Sequence, residues 1–158
     1  MVPGGALRLL WLLPAAFLLA GCGSAGAGLS AVEFETGAGA RPRLEVEVAA
    51  RPEERAKGLS GRENLGTDRG MLFVIEERGP GFWNKDVSFP LSLAFVSACG
   101  VIVDIQDMLP FSLEIHSTGH EYRYGIEANQ GWFERRGVRV GDRVRLPGSV
   151  GSSTCRSI

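Results

Sequence analysis

The sequence predicts a mainly β (α+β) fold, a single compact β-barrel-like or sandwich domain with one or two short helices. Apolar residues recur with a period of two through most of the chain. Helix punctuation occurs in only two short places, and no internal repeat is visible in the 158 residues.

Taken in order, residues 1–22 read as an export signal: Arg8 precedes an apolar run from Leu9 to Ala20 that is too short for a permanent membrane helix. The segment closes on Leu19-Ala20-Gly21-Cys22, which resembles a bacterial lipoprotein lipobox, with the Cys22 thiol as the lipid acceptor. The expectation is a domain on the extracytoplasmic side of the cell envelope, partnered with the membrane through that anchor. Residues 23–40 are rich in Gly and Ala and read as a flexible tether, in which only Val32 and Phe34 alternate as a short strand would. The domain is expected over 41–147, and 148–158 reads as a loose tail.

Within the domain, Leu44, Val46 and Val48 alternate with Glu45 and Glu47, as in a strand with one wet face. Pro52, Glu53 and Glu54 then suit the first turn of a helix that Gly58 can end. Gly70 to Ile75 is a continuous apolar run, hence a buried strand. Val87, Phe89, Leu91, Leu93 and Phe95 alternate with small or polar residues, so one face is core, and Pro90 marks an edge or a bulge because it lacks a ladder donor. A turn over 97–100 leads into Val101, Val103 and Ile105. Strands around Tyr122–Ile126 and Arg143–Leu146 follow, with a short helical or looped piece at Trp132–Arg136 between them.

The domain has room for one core and not two. With 17 basic and 18 acidic side chains and no long run of either sign, there is no electrostatic footprint for nucleic acid. Of the three cysteines, Cys22 is assigned to lipid, which leaves Cys99 and Cys155 either as a disulfide or as two unpaired thiols. His116 and His120 have a spacing that would place them together on a helix. The intervening Ser117-Thr118-Gly119 argues for a turn, so no metal site and no cofactor is expected. Nucleophile elbows, phosphate loops and dinucleotide fingerprints are absent from the sequence.

The ordered motifs Arg51-Pro52-Glu53-Glu54-Arg55-Ala56-Lys57-Gly58-Leu59, Gly61-Arg62, Gly70-Met71-Leu72-Phe73, FWNKDVSFPL at 82–91, and Glu127-Ala128-Asn129-Gln130-Gly131 resemble the domain-of-unknown-function family 192. The resemblance covers roughly 44–146 and implies a compact β-rich fold, often exported, without an established reaction. The chain departs from the family pattern at Asn84 (usually Met), Asp86 (usually Asn), Ser92 (the Asp of Pro-Leu-Asp) and Ser60 (often Met). A family active site using that aspartate would be altered here.

The candidate ligand-binding residues are Trp83, Lys85, Asp86, Arg55, Arg62, Glu127 and Asn129. By strand parity Trp83 and Lys85 fall on the core face. Trp83 would then floor a pocket or simply pack, and Lys85 would hold an anion or pair with Glu127 or Asp68. Arg69 could join Arg55 and Arg62 at the same rim. Asn129 equally suits a turn. The reading is a binding or accessory protein for an unknown small molecule or envelope protein. Two alternatives stand beside it: an enzyme using Lys85 with Glu127 or Asp86 as acid and base, and a structural envelope component.

Overall fold

The computed structural model describes Met1 and residues 28–76 and 81–150. The expected signal segment, Cys22, Cys155 and the end of the tail lie outside the described residues. The elements are β1 (Ser30–Glu35), β2 (Arg43–Ala49), α1 (Pro52–Lys57), β3 (Arg69–Val74), β4 (Leu91–Val96), β5 (Ile102–Met108), β6 (Tyr124–Asn129), α2 (Trp132–Arg135) and β7 (Arg143–Arg145).

The seven strands form one sheet in the order β5-β4-β6-β3-β2-β1-β7. All ladders are antiparallel except β2–β3. A parallel pair needs a crossover, and α1 with the loop after it supplies one. The sheet curls into a half-barrel whose outermost strands meet: the Val144 amide donates to Gly100 O (2.7 Å), Ile102 to Asp142 O (3.0 Å) and Gly141 to Ile102 O (2.9 Å).

Both faces of this sheet are covered. Inside the curl, Val32, Phe34, Leu44, Val46, Leu72 and Ile126 pack with Trp132 and Phe133 of α2. Phe34, Trp132 and Phe133 are mutually within 5.4–5.8 Å between ring centroids. The convex face carries Met71, Phe73, Leu91, Leu93 and Phe95 beneath Leu59, Phe82 and Val87. This explains why β3 reads as an apolar run; β4, expected from its alternation to have one core face, is likewise buried on both sides, Ser92 and Ala94 included.

Three expectations need correction. Part of the tether is a strand: β1 lies between β2 and β7, and Val32 and Phe34 are fully buried, so the domain begins before residue 41. β4 is an interior strand between β5 and β6; Pro90 precedes it, and the register shift falls at Phe95/Val96. The face inferred for Trp83 and Lys85 also fails, because residues 85–86 form a turn in which Asp86 takes a left-handed φ of 58°. That turn breaks the period of two, so Asn84 and Val87 point inward while Trp83 and Lys85 are exposed.

Two glycines are dictated by close approach. A Cβ on Gly125 would lie 2.4 Å from Phe82 Cζ, and one on Gly70 would lie 2.3 Å from Glu127 O. The first lets the tip of the Phe82 ring reach the β6 backbone, and the second lets β3 and β6 approach beside Leu44.

Candidate functional site

Glu127 occupies an interior strand, opposite Met71 on β3 and Leu93 on β4. Its side chain emerges on the convex face, where the cover segments leave a cavity of about 380 Å³. That volume falls in the lower part of the range of small-molecule sites, roughly 300–1,000 Å³. Leu59, Phe73, Ile75, Phe82, Val87 and Tyr122 form its apolar walls, while Trp83 and Ile115 stand at the lip. The walls are fixed by edge-on ring contacts, Phe73–Phe82 at 5.3 Å and Phe82–Phe95 at 5.7 Å.

Glu127 is 4% exposed, and its carboxyl has no hydrogen-bond or ion-pair partner among the described residues. Burial alone pushes its pKa up to about 8, so the group is a neutral carboxylic acid at pH 7.

Asn84 lines the same cavity and ties its cover together: Nδ2 donates to Phe89 O (3.1 Å) and Leu109 O (2.9 Å). Two carbonyl partners fix which end of the amide faces them, and Oδ1 is left buried without a partner. In the segment that ends at the lip, Leu109, Phe111, Leu113 and Ile115 are all exposed, and Ile115 lines the cavity.

The other candidate residues separate into distinct roles. Arg55 on α1 lines the cavity, its guanidinium donating to Ala50 O and to Val74 O (3.3 Å). Arg62 is spent on a two-pronged pair with Glu47 at 2.7 Å for each bond, which holds the Glu47 carboxyl below the usual carboxylate range. Arg69 pairs with Glu45, so the arginines do not converge on one rim. Lys85 Nζ stands over the Trp83 ring at 5.8 Å, and neither Lys85 nor Asp86 lines the cavity. Asp68, proposed as a partner of Lys85, instead accepts from Trp132 Nε1 (2.8 Å) and Arg136 (2.5 Å). Asn129 holds the loop before β3 through Leu65 O and Gly66 O.

Sequence reasoning missed Asn84, Phe82 and Tyr122. The departure at Asn84 was the available signal, since a polar residue in a usually apolar position needs partners when buried. His116 Nδ1 meets Gln106 Oε1 at 3.1 Å, and no metal-holding cluster occurs among the described residues. Cys99, in the turn between β4 and β5, is disulfide-bonded.

A family model described as Uncharacterized ACR matches residues 33–146. The chain belongs to the DUF192 family. The DUF192 match begins within β1, at residue 33, in keeping with that strand's place inside the sheet. A crystal structure from Sinorhizobium meliloti 1021, provisionally named a transcription regulator, shares 32% identity and a TM-score of 0.73, covering 78% of this chain and 98% of its own. A protein of unknown function from Novosphingobium aromaticivorans DSM 12444 shares 26% identity and a TM-score of 0.71, covering 78% and 89% respectively. No curated protein matches.

The DUF192 position that usually carries the Asp of Pro-Leu-Asp is occupied here by Ser92, which lies outside the cavity lining. Ser92 Oγ accepts from the Gly131 amide (2.8 Å) and donates to Asp107 Oδ1 (2.5 Å). Ser92 and Asp107 are directly opposite each other in the ladder, so the carboxylate sits one strand over. Its loss from position 92 therefore removes nothing from the cavity.

Proposed function

We propose that this DUF192 domain is an extracytoplasmic, lipid-anchored accessory module that binds a small molecule in the cavity over Glu127. The observation that supports binding is a buried, unpartnered carboxyl facing an aromatic-walled space: an unpaired polar group in such surroundings costs stability, and a ligand that hydrogen-bonds to it offsets that cost. Anchoring rests on the sequence, with Leu19-Ala20-Gly21-Cys22 closing a short apolar run. No helix among the described residues is long and apolar enough to cross a membrane.

An enzyme pairing Lys85 with Glu127 is less well supported, because Lys85 lies outside the cavity that holds Glu127. A purely structural role leaves the cavity unexplained. The regulator name carried by the Sinorhizobium neighbour finds no counterpart in charge: the chain has a formal net charge of −1, and Arg51, Arg62, Arg69, Arg136 and Arg145 are in ion pairs.

The test is the melting temperature of the full chain against a library of metabolites and cell-wall fragments, with Ile115→Trp to block the mouth and Lys85→Met as an outside control. A ligand present at a hundredfold its Kd should add about 2.7 kcal/mol to wild type and to Lys85→Met, and little to Ile115→Trp. No shift from any compound would overturn the reading.

A further inference from the structure

The cavity floor also restricts the charge of what can enter. A ligand anion there would be desolvated among Leu59, Phe73 and Phe82, and no cation among the described residues acts on the floor, since burial is the one cause of the Glu127 shift. A ligand cation would have to strip the proton from Glu127 and pass Arg55 and Lys57 at α1, against which Glu76 stands as the opposite sign among the described residues. Asn84 offers no hydrogen, because both of its N–H groups are given to backbone carbonyls. Among the described residues, the protonated Glu127 carboxyl is a donor at the floor with no partner of its own.

Resting on the small-molecule reading above, we infer that the cavity selects an uncharged molecule with an apolar ring system and one carbonyl-type acceptor, which takes a hydrogen bond from the Glu127 carboxyl. Aromatic walls at Phe73, Phe82 and Tyr122 receive the ring edge-on or stacked. Binding is then linked to one proton: the protonated protein binds and the ionised protein does not. Among the described residues, the titratable and charged groups facing the cavity besides Glu127 are Arg55 and Lys57 from α1, Glu76 after β3 and Tyr122 before β6; the cover contributes Phe82, Asn84 and Val87, which are uncharged.

Three bicyclic probes of similar shape separate the charge classes: naphthamide, naphthylmethylamine and naphthoate, each titrated into the full chain across pH 6 to 10. Naphthamide should bind tightest, with affinity flat below pH 7 and falling about tenfold for each unit above the Glu127 midpoint. Glu127→Gln keeps a donor and cannot ionise, so naphthamide binding should persist and its pH dependence vanish. A second readout needs no variant: the ¹³C shift of the Glu127 carboxyl, whose midpoint should rise when naphthamide is bound. A midpoint that falls, or tighter binding of the amine or the naphthoate, overturns the uncharged class while leaving a ligand site in place. Absence of binding by all three overturns the class as well, and the library melt described above decides separately whether the cavity is a ligand site.

Discussion

Replacing Glu127 with Gln should stabilise this protein, and by an amount that depends on pH. The carboxyl has an ordinary value of 4.5 and is raised to about 8 by burial. Below pH 4.5 it is neutral in the folded and unfolded chain alike. Between those values the unfolded chain loses the proton and the folded chain keeps it, so the unfolded state binds fewer protons and stability falls as pH rises. The loss is about 1.4 kcal/mol per pH unit and levels off above pH 8, near 5 kcal/mol in total. Gln has nearly the same shape and never ionises. The variant should therefore match wild type at pH 4, exceed it by about 3 kcal/mol at pH 7, and exceed it by about 5 kcal/mol at pH 9. Urea unfolding of both proteins at the three pH values measures the difference directly. A gap that stays constant across pH would show that Glu127 is not held neutral, and the chemistry assigned to the cavity floor would fall with it.

Four further outcomes are expected. Trp83→Ala should cost less than about 1 kcal/mol because the ring is 53% exposed, whereas Trp132→Ala, 2% exposed, should cost about 3 to 5 kcal/mol; equal losses in denaturant would contradict this. Ser92→Asp sets two carboxylates opposite each other, and adding Asp107→Ser should recover about 1 to 3 kcal/mol in a double-mutant cycle; simple additivity would argue against the pair. A chain starting at Arg43 lacks β1 and should show no cooperative thermal transition by circular dichroism, so a sharp melt would count against the role given to that strand. Cys22→Ser should move the protein from the membrane fraction to the soluble fraction, and an unchanged distribution would dispose of the lipid anchor.

What the sequence disclosed depended on how local each feature is. β2, β3 and β6 announced themselves by alternation or apolar runs, and α1 by Pro52 and the acidic first turn. The alternation of Val32 and Phe34 hinted at β1, but its place inside the domain was hidden because the two stand among Gly and Ala and their burial depends on β2 and β7. Strand parity failed at Trp83 and Lys85 because one left-handed residue, Asp86, separates them from the strand that set the count. Glu127 was visible as a polar residue of interest; its depth was not, since it arises from β3, β4 and a cover segment distant in sequence. Arg62 illustrates the same limit, because its partner Glu47 is brought near only when β2 and the loop after α1 come together.

The pairing of β1 with β7 has a consequence for the order in which this protein can assemble. Arg145 and Glu35, which bond across that seam at 2.5 Å, are 110 residues apart in the chain. The first of the described strands to be synthesised therefore has to wait for the last, with Val32 and Phe34 uncovered on one side until β7 and α2 arrive. Long-range closure of this kind slows folding and prolongs the life of incomplete forms. A nascent chain cut short before residue 143 would present an open seam, a natural point for a chaperone to hold or a protease to attack.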